Sequence, residues 1–172
     1  MTRDLSRPRR FLAISSLLVI LCTVVLSGCN RPEARPRQPI AFSHTIHAGQ
    51  YKMNCQYCHG GVRRSTAAGI PSVRLCMGCH QLVAANKPEV ARIREAFEKQ
   101  QPIRWMRINV LPDFVYFNHY PHVAKGITCQ KCHGEVQTMS EIWPVVRLDD
   151  MAYCVGCHRE NNASVDCYTC HR

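Results

Sequence analysis

The chain has 172 residues, 46% hydrophobic and 20% charged, which excludes disorder as the default and leaves room for one compact domain or two very small ones. Twelve cysteines are far above ordinary usage, and a reducing cytosol would not hold them as disulfides, so they are exported or occupied by metal or haem. The formal charge of +10 brings nucleic acid or an anionic membrane into view as partners, and the lack of a second long apolar run excludes a multi-span transporter.

Residues 1–28 read as an export signal. Arg3, Arg7, Arg9 and Arg10 precede the uncharged apolar run 11–26, and Ser27 and Gly28 close it. Leu26-Ser27-Gly28-Cys29 resembles a bacterial lipobox, which implies that Cys29 is lipidated and becomes the mature N-terminus. An uncleaved N-terminal anchor helix is the alternative. Either way the body is expected on the periplasmic side of a bacterial membrane. Residues 29–41, rich in Pro and Arg and without apolar periodicity, read as a tether.

Residues 42–172 carry the chemistry. Cys-x-x-Cys-His occurs five times: Cys55/Cys58/His59, Cys76/Cys79/His80, Cys129/Cys132/His133, Cys154/Cys157/His158 and Cys167/Cys170/His171. This is the c-type haem attachment pattern. Two thiols add to the two vinyl groups of one porphyrin, and the adjacent histidine lies under the iron as proximal ligand. Zinc would not require a histidine after every second cysteine. Disulfides fail on counting, because outside the motifs only Cys22, in the signal, and Cys29 remain. No βαβ frame supports a thioredoxin-like site. Five covalent haems c are expected.

The four remaining histidines, His44, His47, His119 and His122, form two H-x-x-H pairs. Each follows a phenylalanine and shortly precedes a haem motif, so all four are expected as distal ligands of low-spin irons. Spacing of three places both rings near one face of a helical turn. Four cannot serve five irons. Met139 or Met151 is the expected ligand of the remaining one, with Met106 third. Met77 lies inside a haem loop and is a poor candidate.

The pattern repeats. Residues 42–80 and 117–158 both read Phe-x-His-x-x-His, then Cys-x-x-Cys-His-Gly-x-Val, then Cys-x-Gly-Cys-His. The organisation is thus a two-haem repeat 42–80, a linker 81–116, a second repeat 117–158 and a fifth haem site 159–172. In the linker, Pro88 to Gln101 reads as a helix with Val90, Ile93 and Phe97 on one face, and residues 102–116 as extended chain broken at Pro112. The fold class is mostly α with much irregular structure and little or no strand. With about 29 mature residues per haem, the haems must serve as most of the core.

The charge also changes once cofactors are included. The signal removes +3, and five haems bring about −10 in propionates. Arg63, Arg64, Arg74, Arg104 and Arg107 are candidates to pair with them. Nucleic acid is not an expected partner.

Phe-x-His-x-x-His ahead of Cys-x-x-Cys-His resembles class III multihaem cytochromes c. That likeness implies that the two histidines ligate different haems, His44 serving the haem of His59 and His119 that of His133. A longer stretch, Trp105-Met106-Arg107-Ile108, Leu111-Pro112-Asp113-Phe114, Phe117-x-His119-x-x-His122 and Cys132-His133-Gly134, is similar to the pentahaem cytochrome subunit of alternative complex III, a bacterial membrane quinol oxidoreductase. The resemblance implies an electron-transfer subunit and not an enzyme. It would relay electrons from quinol-oxidising membrane subunits to a monohaem cytochrome c or terminal oxidase. No catalytic base, nucleophile or phosphate loop stands out. A free-standing periplasmic shuttle and a multihaem nitrite or hydroxylamine reductase are the alternatives, the latter needing an open iron.

Overall fold

The helical segments of this chain are short, and four of the seven α-helical ones begin on a side-chain cap. The computed structural model describes residues 37–172; the expected signal 1–28, Cys29 and most of the tether lie outside the described residues. Seven α-helical segments follow in order: α1 Cys55–Cys58, α2 Val73–His80, α3 Pro88–Glu98, α4 His119–Ala124, α5 Cys129–His133, α6 Met151–Glu160 and α7 Cys167–Cys170. A π-helical turn covers Thr45–Gln50, and 3₁₀ turns cover Gly60–Arg63 and Val136–Thr138. Among the described residues there is no strand, only an isolated antiparallel bridge between Val115 and His171. The molecule is the helical, irregular fold expected of a small multihaem cytochrome c. None of the described helices is long and apolar enough to cross a membrane.

Four of these segments start on a side-chain cap. Oδ1 of Asn54, Asn118, Asp150 and Asp166 accepts the N–H two residues on, at 2.8, 3.0, 2.9 and 2.8 Å. A cap of this kind stabilises a helix by about 1 kcal/mol. That does not hold a helix of four to ten residues in water, where nucleation outweighs it. These turns depend on what packs against them.

The longest helix is the exception. α3 has Pro88 in its first turn, buries Val90 and Ile93, and packs on α2. It ends three residues before the expected Gln101, because Gln100 takes φ 53° and turns the chain out of the helix. Ile93 joins Ile40 and Met77 in a small cluster, flanked by Val73, Cys76, Phe97, Ile103 and Trp105.

Beyond that cluster there is little protein core. Among the described residues only Ile40, Met77, Val90, Ile93 and Met139 are buried hydrophobics, while Leu82 is 91% exposed and Tyr168 80%. A self-sufficient domain of this length buries most of its apolar surface in its own side chains. Here the polypeptide is a wrapping with its large apolar contents left to another group.

The glycines after the first and third haem motifs hold the wrapping close. A Cβ on Gly61 would lie 2.5 Å from the Ala67 carbonyl oxygen. Gly134 has φ 71°, and a Cβ there would lie 2.1 Å from the Val145 side chain.

Candidate haem sites

Each Cys-x-x-Cys lies on a single helical turn, which places both thiols on one side with the histidine immediately after. The ten described cysteines form no disulfide. No group of three or more His, Cys, Asp or Glu among the described residues is gathered tightly enough to hold a bare metal ion, whereas a structural zinc site needs four donors on one point. The histidines come in facing pairs instead.

The five turns look equivalent in the sequence, and Cys79 departs from that equivalence. In four motifs the first thiol is exposed, at Cys55, Cys129, Cys154 and Cys167, and the second is half-buried, at Cys58, Cys132, Cys157 and Cys170. In the second motif the order is reversed: Cys76 is half-buried and Cys79 is exposed. The cause is local packing. Cys76 lies against the cluster of Ile40, Met77 and Ile93, so the helix turns its inner side there and leaves Cys79 at the solvent edge. The Cys79 backbone still closes the end of the turn, its carbonyl accepting the Leu82 and Val83 N–H groups at 3.1 and 2.9 Å.

His47 faces His80 with ring centroids 5.9 Å apart, His119 faces His133 at 6.4 Å, and His122 faces His158 at 6.0 Å. Two imidazoles bound to opposite sides of one metal, each through a bond of about 2 Å, hold their centroids about 6 Å apart. The three pairs therefore have the separation that an iron between them requires. His44 lies near enough to His59 for their charges to interact. Burial, reinforced by the charges of His59 and His47, lowers its pKa to about 4. Burial, then His119 and His59, also pushes His133 down. Neutral imidazole is the form that binds iron.

The other ring nitrogen is held in eight of the nine histidines. Nδ1 of His47 lies 2.9 Å from the Ser43 carbonyl, His59 2.7 Å from Gly69, His80 3.0 Å from Val83 and His119 2.8 Å from Thr66. His122 lies 2.9 Å from Asn118, His158 2.6 Å from Ser164 and His171 3.3 Å from Phe114, again at the carbonyl oxygens. Nδ1 of His133 lies 3.1 Å from the side-chain nitrogen, Nδ2, of Asn109. A carbonyl oxygen at Nδ1, as seven of the eight have, holds the proton there and leaves Nε2 for the metal. Nδ1 of His44 is buried without a partner. Most of these acceptors are backbone carbonyls, which carry no residue-type signal, so sequence reasoning missed them.

The phenylalanines act alike in both repeats. Phe42 lies edge-on to His44 at 4.9 Å and stacks on His47 at 4.4 Å. Phe117 lies edge-on to His119 at 4.7 Å and tilted over His122 at 4.8 Å. One ring thus sets the angle of two imidazoles that point at different partners.

Neighbouring motifs touch in one order. Cys76 lies near enough to Cys58 to raise its pKa, after burial, which is the larger cause. Burial, and then the nearby Cys55 thiol, raise the pKa of Cys129. The turn Gly60–Arg63 packs on α4. Cys132 feels Cys157 and Cys154, and the Tyr153 hydroxyl donates to the Lys131 carbonyl. Cys154 feels Cys170, and the Tyr116 N–H donates to the Cys170 carbonyl at 2.8 Å. These proximities run through the motifs of His80, His59, His133, His158 and His171 in that order.

The last site has no second histidine. His171 has Phe114 beside it at 5.8 Å. Of the expected methionine ligands, Met139 is 3% exposed and packs near Gly134, its carbonyl taking the Thr45 N–H at 3.1 Å. Met151 is 65% exposed at the start of α6, one turn before Cys154. Met106 is 52% exposed, its backbone paired with the Gln38 side chain. Met77 is core.

A basic cavity of about 340 Å³ between the first repeat and α4 is lined by Arg63, Arg64, Ser65, Thr66, Asn118 and Tyr120. Its cations and hydroxyls suit a carboxylate such as a propionate. Arg63, Arg64, Arg74, Arg104 and Arg107 form no salt bridge with another described residue.

Facing histidines at iron-spanning distance, each pair including the histidine of a Cys-x-x-Cys-His turn, define a multihaem cytochrome c. The chain belongs to the family described as cytochrome c7 and related cytochrome c, whose model matches residues 40–100 and 115–172. Covalently bound haem c goes with that membership. Among curated proteins the chain is 29% identical, over 169 residues, to the multihaem cytochrome c subunit of menaquinone reductase from Nitratidesulfovibrio vulgaris, across 81% of this chain and 79% of that protein.

Proposed function

We propose that the chain is a five-haem electron relay within a quinone-linked membrane oxidoreductase of the alternative complex III type, passing electrons from quinol-oxidising subunits to a monohaem cytochrome c or terminal oxidase. The observation that carries this reading is the succession of haem motifs, each lying near the next. The haems supply one-electron Fe(III)/Fe(II) chemistry. The protein supplies order, spacing and ligands. The Trp105–His122 stretch and a relative that belongs to a quinone enzyme support the placement in a membrane complex. A lipid on Cys29 would tether the relay to the periplasmic face.

His44, His47, His119 and His122 are the proposed distal ligands of the sites at His59, His80, His133 and His158. For the fifth, Met151 is the better of the two methionines. It lies three residues before Cys154 on one helix, and Cys154 is near enough to Cys170 to feel its charge. Met151→Leu should abolish the Met–Fe(III) charge-transfer band, and Met139→Leu should leave it intact. The reverse result would move the ligand to Met139.

The test of the whole reading is mild detergent extraction, native sizing and mass spectrometry of the haem-staining band. A large assembly with a multi-span quinone-site subunit supports it. A lone haem-staining species of about 20 kDa overturns it in favour of a shuttle. The direction of flow is read by adding quinol or reduced cytochrome c to the purified assembly and recording which one reduces the haems.

A further inference from the structure

Asn109 lies in the linker between the repeats, outside every haem motif and every helix. Its side-chain Nδ2 lies 3.1 Å from Nδ1 of His133, and a half-turn of the carboxamide exchanges Nδ2 for Oδ1 at that place. The seven other histidines with a hydrogen bond at Nδ1 all use a backbone carbonyl. A backbone acceptor is the same whatever the residue. At His133 alone the strength of that bond is written in a side chain.

We infer that Asn109 is the positioning residue that sets the reduction potential of the haem held by Cys129, Cys132 and His133. The inference rests on the five-haem reading above. When Nε2 of His133 holds iron, Nδ1 carries the proton and needs an acceptor, so the carboxamide rotates by half a turn to present Oδ1 in place of Nδ2. An acceptor at that proton draws the ring towards imidazolate and makes it a stronger donor, which favours Fe(III) and lowers the potential. His133 is third in the order of five sites, with two on either side. Its potential therefore bears on every electron that crosses from one repeat to the other.

The sign of the effect separates tuning from mere support. Asn109→Leu removes the acceptor and keeps the bulk, and should raise one of five midpoints. The expected shift is about tenfold in the one-electron equilibrium, which corresponds to ~59 mV. Asn109→Asp presents a stronger acceptor and should move the same midpoint down. A purely structural loss would not reverse between the two variants. The holoprotein of each variant is compared with the parent by spectroelectrochemical titration and by the low-spin g values in electron paramagnetic resonance. Peptide mass spectrometry of the Cys129–His133 fragment is run alongside. A haem on that fragment with all midpoints unmoved in both variants, or moved the same way in both, overturns the inference. No haem on that fragment in the parent protein overturns the five-haem reading instead.

Discussion

Phe42-Ser43-His44 and Phe117-Asn118-His119 open the same pattern, yet the first runs into a π-helical turn, Thr45–Gln50, and the second into an α-helical one, His119–Ala124. The two repeats also differ in what stands behind them. The first leans on the cluster of Ile40, Met77 and Ile93, built with α3. In the second, Met139 is the one buried hydrophobic among the described residues. Sharing a ligand pattern does not mean sharing a source of stability. The first repeat has a small protein core of its own, and the second has to take its order from the prosthetic groups it binds.

The largest expected effect follows from that difference. Chain produced without haem attachment should lack a cooperative thermal transition, because five buried hydrophobic residues do not offset the entropy of ordering more than a hundred. Any residual helix should lie in α2 and α3 of the first half. Circular dichroism with amide exchange checks this, and near-native helicity with protected amides in α6 would refute it. Ile93→Ala in the holoprotein comes next. Truncating a buried isoleucine costs about 2–5 kcal/mol, and partial exposure around this small cluster favours the lower half of that range. Denaturant unfolding should show the loss, with α2 and α3 losing amide protection before the second repeat does. Equal loss in both repeats would mean that the halves are one cooperative unit.

Much of this was legible in the sequence. Cys-x-x-Cys-His fixes covalent chemistry at each turn, so the haem motifs need no knowledge of the fold. Which thiol of a motif faces solvent does need it: the exposure of Cys79 follows from the contact of Cys76 with a cluster built partly from another helix. The F-x-H-x-x-H pairs stood out because every histidine outside those motifs fell into them. α3 was visible from Pro88 and the spacing of Val90, Ile93 and Phe97, but its end was not, since the left-handed turn at Gln100 uses a residue with no preference for it. The partners of His47 and His122 were open, because they lie in another motif at a distance set by packing. The order of the sites was equally hidden: the first motif sits between the second and third, so chain order and spatial order part company. Asn109 carried no signal, as a single polar residue in an extended linker looks like solvent-facing chain.

Phe42→Ala and Phe117→Ala sharpen the contrast at smaller scale. Both rings rest on two histidines, but Phe42 also meets Trp105 edge-on at 6.4 Å. Neither ring belongs to the buried set, so each loss should fall below the 3–5 kcal/mol of a fully buried phenylalanine. Phe42→Ala should cost about 1 kcal/mol more than Phe117→Ala, the contribution of an aromatic pair beyond its area. Denaturant midpoints of the two variants give the difference. A reversed order would show that the second repeat depends on its phenylalanine more because it has no cluster behind it.

The smallest effect isolates the one residue by which the two patterns differ between Phe and His. Asn118 does two things at once: its Oδ1 takes the Tyr120 N–H at 3.0 Å, and its carbonyl lies 2.9 Å from Nδ1 of His122. Ser43 has the same carbonyl role, 2.9 Å from Nδ1 of His47, but its hydroxyl reaches the Ile46 N–H only at 3.4 Å. The carbonyl survives substitution by alanine and the side-chain cap does not. Asn118→Ala should therefore cost about 1 kcal/mol and Ser43→Ala a few tenths, while both keep their histidines ligated. Unfolding midpoints measure the first quantity and the low-spin spectrum the second. If Asn118→Ala produces a high-spin iron, the cap is holding His122 in place as well as starting a helix, and the second repeat is then tied together through that single asparagine.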